Sequence, residues 1–176
     1  GAAPPAMEET IVTASRSAEP GRDLALSWSA IGGDAVDLTA AVHINQLMQR
    51  APGVWISRGN GQESLPSLRS PVLTGAGGCG AFYMAWDGIA LRAPGFCNLN
   101  QLFDVNSEQA GRVAVLRGPG TAFYGANAVH GVINVLTPDL QRSDALRLGL
   151  EAGPNDYYRL RVAGSAGAGR QRLGLF

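Results

Sequence analysis

Residues 117–137, RGPGTAFYGANAVHGVINVLT, narrow the possible folds more than any other part of the chain. Arg117-Gly118-Pro119-Gly120 is a turn cluster that stops the strand entering it, Arg112-Val113-Ala114-Val115-Leu116-Arg117. Pro119 fits the first position of a short helix, where its missing N–H costs nothing. Gly125 can end that helix in a left-handed conformation. Val129 and residues 131–137 then read as a β-branched strand, closed by Pro138. The product is a compact, rigid unit rich in turns.

Composition agrees with a turn-rich, β-dominated chain: 24 glycines and 10 prolines in 176 residues. Only 16% of residues are charged and the net charge is zero, which removes the basic stripe that nucleic-acid binding requires. No apolar run reaches the ~18 residues of a membrane-crossing helix. Cys79 and Cys97 flank a hairpin-like segment. In an oxidising compartment they would close a loop with a disulfide worth ~3 kcal/mol; the alternative is two buried thiols. A metal site with His43 or His130 lacks the closely spaced ligand pairs such sites use, so no metal and no cofactor is expected.

Enzyme chemistry is missing as well. There is no GxSxG elbow, no pair of carboxylates on one strand, and no nucleophile accompanied by a base and an orienting group. Residues 75–80, GAGGCG, match GxGxxG literally. They run into the β-like Ala81–Asp87 instead of opening a helix, so a dinucleotide site is rejected. His130 reads as a structural histidine at a strand start.

Along the chain, alternation predicts a strand over 24–29, broken at Gly32-Gly33. Asp37-Leu38-Thr39 caps a helix whose apolar stripe is Val42, Ile44, Leu47 and Met48, ended by Pro52-Gly53. Strands follow at 54–58 and 67–69. Asp87-Gly88 makes a hairpin turn into 89–91. Residues 106–110 suit one capped helical turn. In the tail, Leu146, Leu148 and Leu150 alternate with Arg147, Gly149 and Glu151. After a turn at 153–156, Tyr158, Leu160 and Val162 alternate with Arg159, Arg161 and Ala163, and a third run starts near Arg172. Apolar one way and charged the other, these strands fit a transmembrane barrel, the alternative being an ordinary amphipathic meander packed on a soluble core. So short a meander cannot close, so the barrel is only begun.

Near the other end, Glu8–Ala14 is a brief β-prone run between Pro4-Pro5 and a polar stretch reaching Pro20-Gly21. Such a segment suits either addition to a partner's sheet edge or an edge strand of the chain's own sheet.

Arg-Gly-Pro at 117–119, Tyr124-Gly125 and Gly131-Val-Ile-Asn-Val together resemble the closing motif of the plug domain of TonB-dependent outer-membrane transporters. Glu9-Thr10-Ile11-Val12-Thr13-Ala14 resembles the family's TonB box and stands where that box belongs. The family pattern has Arg-Gly where this chain has Arg69-Ser70, which argues against a positive φ in the turn after Arg69.

The resemblance implies an α+β fold: a small mixed β-sheet plug with short helices, then the first antiparallel strands of a transmembrane β-barrel. It implies a flexible N-terminus over 1–22 with the box at 9–14, a plug over 23–138 and the barrel's beginning at 139–176. It implies location in the outer membrane, capture of the box by the TonB C-terminal domain through strand addition, and energy-coupled uptake of a scarce nutrient such as a ferric siderophore or other metal chelate. Arg69, Arg112 and Arg117 would meet the remainder of the barrel. Outward loops would be 58–62, 73–79 and 92–100, with Asn60, Arg92, Phe96 and Asn98 as ligand contacts. The alternative is a free-standing periplasmic binding module that uses the plug fold without transport.

Overall fold

The structure, a computed structural model, describes residues 11–12, 19–20, 27–61, 63–72, 81–92, 105–120, 124–125, 127–139, 145–168 and 171–175. It divides into two units, Gly1–Thr137 and Pro138–Phe176.

The first unit is built on a five-stranded sheet. Its strands are β3 (Ser27–Gly32), β6 (Phe82–Trp86), β7 (Ile89–Ala90), β8 (Arg112–Arg117) and β9 (Gly131–Leu136), in the order β3-β8-β9-β6-β7. The pairings β3/β8, β8/β9 and β6/β7 are antiparallel, whereas β6 and β9 run parallel. The sheet is therefore mixed, as expected. Two short strands, β4 (Val54–Ser57) and β5 (Leu65–Leu68), make a separate antiparallel ladder, and β1 (Ile11–Val12) pairs with β2 (Glu19–Pro20).

Each inner strand buries both of its faces. Val113, Val115, Ile133, Val135, Phe82 and Met84 point to one side, where they pack with residues of two short helices, α1 (Gly33–Thr39) and α2 (Ile44–Met48), and of the β4/β5 ladder. Leu47 and Met48 are wholly buried there, so Met48 is core filler as its place in the stripe suggests. Leu116 and Val132 point to the other side and pack with Tyr124 and Ala128. The turn-rich unit thus folds back over its own sheet. Its backbone is tied by Gly118 N–H to the His130 carbonyl at 2.9 Å and by Ala128 N–H to the Gly125 carbonyl at 3.2 Å. Gly125 is left-handed, with φ 74°. The helical turn expected after Pro119 falls at 121–123, outside the described residues.

Several boundaries differ from the periodic reading. The strand expected over 24–29 lies at Ser27–Gly32, because its register is set by pairing Ser27 with Arg117 and Gly32 with Arg112. Gly32-Gly33 does not end a structured region; it starts α1. A Cβ on Gly33 would stand 2.9 Å from the Gly111 carbonyl oxygen, so glycine serves close approach there. The stripe beginning at Val42 is capped by His43 and not by residues 37–39, which belong to α1. Residues 107–109 form one 3₁₀ turn, to which the Asn106 side chain makes no cap bond.

The second unit is an antiparallel meander of β10 (Ala145–Gly153), β11 (Tyr157–Ala168) and β12 (Gln171–Leu175). Register places Leu148 opposite Val162 and Leu150 opposite Leu160, all on one exposed face. The opposite face carries Arg147, Arg161 and the Glu151–Arg159 ion pair, 2.7 Å from Nη2 to Oε2.

Candidate functional site

The N-terminal segment is the first candidate. Ile11 pairs with Pro20 and Val12 with Glu19, apart from the five-stranded sheet. Proline brings no N–H to such a ladder, and two residue pairs give little cooperative hold. The remaining box residues, Glu9, Thr10, Thr13 and Ala14, lie outside the described residues.

Arginine geometry is the second. Arg117 ends β8 and is buried. Its Nε–H donates to Ser27 Oγ at 3.1 Å, and Nη1 donates to Ser29 Oγ at 2.7 Å and to the Pro52 carbonyl at 2.9 Å. Nη2 donates to the Trp28 carbonyl at 2.8 Å. The planar fork is thus directed at the first unit's own residues, whereas the resemblance places it against a barrel. Burial, and then the nearby Arg69 charge, hold this guanidinium below its ordinary pKa.

Arg69 is exposed and takes a left-handed φ of 54°. The positive φ of this turn therefore falls on the arginine and not on Ser70. Ser70 Oγ accepts from Leu68 N–H at 3.3 Å, and Ser67 Oγ donates to the Ser70 carbonyl. Arg69 and Arg117 come together around Gly53: a Cβ there would lie 2.9 Å from Arg69 Nε and 3.5 Å from Arg117 Cδ. Arg112 starts β8, half-buried, opposite Gly32 and Leu136.

Of the expected ligand contacts, Asn60 is exposed in the loop joining β4 to β5, and Arg92 is half-buried just beyond β7. These belong to different sheets. Phe96 and Asn98, together with Cys79 and Cys97, lie outside the described residues. Among the described residues, no group of three His, Cys, Asp or Glu is placed to hold a metal.

The 58–63 loop holds features that sequence reasoning passed over. Trp55 stands outward on β4, 62% exposed, and its indole N–H donates to Ser57 Oγ at 3.0 Å. The Val54–Trp55–Ile56 alternation was the available signal. Glu63 accepts Gly61 N–H at 2.8 Å, and backbone hydrogen bonds from Glu63 itself and Gly61 hold its carboxyl below the ordinary range. His43 is buried. Its Nδ1 accepts from Asn45 N–H at 3.1 Å, and Nε2 lies 3.2 Å from the Glu63 carbonyl oxygen. With Nδ1 accepting, Nε2 is the nitrogen that can donate to the Glu63 carbonyl, so the ring joins the start of α2 to this loop. His130 contacts the Phe82 ring at 5.6 Å between centroids, in keeping with a structural role.

A mixed sheet with two short helices packed on one face, a self-paired leading segment before it in sequence and an amphipathic meander after it define a receptor plug joined to the first strands of a barrel wall. Residues 20–132, more than half of the chain, match the family described as "TonB-dependent Receptor Plug Domain". The chain belongs to that family, a family of outer-membrane receptors.

It is 29% identical over 147 residues to the vitamin B12 transporter BtuB of Vibrio vulnificus, covering 83% of this chain and 23% of that protein. The ferripyoverdine receptor of the Pseudomonas aeruginosa outer membrane superposes with a TM-score of 0.70 at 18% identity, over 92% of this chain and 20% of that one. The alcaligin receptor FauA of Bordetella pertussis gives 0.68 at 18% identity, over 89% and 26%. This chain spans about a quarter or less of the length of these relatives.

Proposed function

We propose that this chain is the plug, with the opening barrel strands, of an outer-membrane transporter that takes up a scarce nutrient by energy-coupled gating. The observation that carries the reading is a plug-type sheet preceded in sequence by Ile11–Val12, which among the described residues pair with Glu19–Pro20 in a two-residue ladder. Strand addition by the TonB C-terminal domain would use the same backbone groups of Ile11 and Val12 that now face Pro20 and Glu19. A ladder so short, with proline in it, exchanges readily for a longer one.

Relatives named for vitamin B12 and for ferripyoverdine point to a ferric siderophore or another metal chelate as the cargo. Asn60 in the outward loop and Arg92 are the described residues assigned to ligand contact, with the exposed Trp55 on β4 leading into that loop; Phe96 and Asn98 keep that assignment from the sequence. Arg69 and Arg112 are assigned to the barrel wall, where net stabilisation is modest because such ion pairs are costly to desolvate. Arg117 shares that assignment only to the extent that its inward bonds open. Cys79 and Cys97 are proposed as a disulfide.

The test uses the full receptor in its host. Val12→Pro removes a backbone donor from the box and should abolish TonB-dependent import of radiolabelled chelate while leaving surface binding intact. Undiminished import by Val12→Pro defeats the proposal.

A further inference from the structure

We propose that Arg117 is a mechanical latch: it keeps the N-terminal edge strand on the sheet and sets the load at which that strand leaves first. The proposal rests on the reading above only in assuming that force enters from the N-terminal side.

Topology defines the weak element. Among the described residues β3 is an edge strand whose one partner is β8, and it is the first strand of the sheet in chain order. Tension arriving from the N-terminus reaches Ser27 before any other residue of the sheet. Ser27 lies opposite Arg117, the last residue of β8. At that corner one guanidinium binds Ser27, Trp28 and Ser29, three consecutive residues of the edge strand, and also the Pro52 carbonyl beyond α2.

Charge-assisted bonds are about twice as strong as neutral ones, and a planar fork loses them together once its plane is displaced. The rest of the sheet is differently protected. β9 and β6 are each paired on both sides, and β8 keeps its six-residue ladder to β9 after β3 has gone. Cooperative opening in parts, with an edge element first, is the ordinary behaviour of folded domains.

Arg69 tunes the latch. Its stem shares the Gly53 contact with Arg117, and its positive charge opposes that of the buried guanidinium. The latch is therefore held by acceptors on β3 and at Pro52 against a like charge beside it.

Hydrogen exchange on the full receptor in lipid nanodiscs tests this. Arg117→Met should speed exchange of the amides in 27–32 at least tenfold and leave those in 82–86 unchanged. Ser27→Ala/Ser29→Ala, which keeps the arginine and removes two acceptors, should produce the same pattern more weakly and covers the case in which Arg117→Met fails to fold. Pulling single molecules from the N-terminus should show a lower first rupture force in both variants, with later ruptures unaltered. Exchange rising equally in 27–32 and 82–86, or unchanged in 27–32, overturns the latch. Loss of TonB-dependent import is read separately, so a receptor with the latch pattern but no such import would sink the transport reading and leave the latch standing.

Discussion

Trp86 and Thr137, fifty-one positions apart, are joined by an indole N–H donating to Thr137 Oγ1 at 3.0 Å. The same threonine donates its backbone N–H to Asp87 Oδ1 at 2.9 Å, and its hydroxyl donates to Oδ2. Asp87 and Gly88 form the hairpin turn, both at positive φ, and Gly88 N–H reaches Asn134 Oδ1 at 3.0 Å. A tight turn between β6 and β7 is thereby fastened to the end of β9, where the first unit ends.

Asp87 serves that fastening twice, as a residue tolerant of left-handed φ and as an acceptor. Asp87→Ala should lose about 2–3 kcal/mol by urea unfolding, from the ~1–2 kcal/mol of left-handed strain and the lost hydrogen bonds. Asp87→Gly relieves the strain but not the missing acceptor and should fall between the alanine variant and the parent. If the two variants unfold at the same urea concentration, strain has no part in the turn.

Gly131 opens β9 under a tighter constraint. A Cβ would lie 2.5 Å from the Leu116 carbonyl oxygen and 2.6 Å from Leu68 Cδ2. Gly131→Ala should cost about 1–3 kcal/mol as an overpacked site. Adding Leu68→Ala should not restore stability, since the backbone carbonyl cannot retreat as a side chain can. Recovery in the double variant, seen by thermal unfolding, would place the whole clash at Leu68.

How legible all this was depended on distance along the chain. Asp87-Gly88, Gly125 and the apolar strand at 131–136 were readable because a dipeptide or a short run dictates them locally. α1 was missed because Gly32-Gly33 looks like a breaker, while Gly33 is present for close approach to Gly111. The partners of Arg117 within the first unit were not legible, because its acceptors at 27–29 and 52 lie 65 to 90 positions away. Nothing local announces them. The His43 cap was equally hidden, histidine being an uncommon acceptor there.

That cap gives a third prediction. His43→Ala removes the acceptor for Asn45 N–H and the link to the Glu63 carbonyl, for an expected loss of about 1–2 kcal/mol. His43→Asn can still cap α2 but is too short to hold the loop as the ring does. It should regain most of the stability while amides near Gly61 exchange faster than in the parent. Parent-like exchange at Gly61 would show that the imidazole does not steady the loop.

Glu63 adds a pH dependence to the same loop. Its carboxyl titrates below the ordinary 4.5, chiefly because backbone N–H groups of Glu63 and Gly61 bond the ionised form. A depressed folded pKa stabilises above the unfolded value, and that contribution fades as pH falls through the folded one. Protection of the Gly61 amide should therefore hold from pH 6 to about 4.5 and fall below it, and Glu63→Gln should flatten the profile. A Gly61 amide whose protection stays unchanged as pH falls well below 4.5 would remove the carboxylate from the loop.

The tail meander offers the sharpest test of its membrane assignment, because register separates its faces cleanly. Leu150 and Leu160 face one another on the apolar side, 82% and 69% exposed, while Gly149 and Arg161 face one another on the polar side. A lipid-facing arginine near mid-membrane costs about 2–4 kcal/mol, whereas lumen positions tolerate polarity. In the full receptor, Leu160→Arg should lower the heat-resistant folded fraction recovered in outer membranes, and Arg161→Gln should leave it unchanged. The adjacent positions differ by one residue and by the whole strand face. Equal yields from both variants would mean that neither face meets lipid, and that the leucine row packs against protein instead.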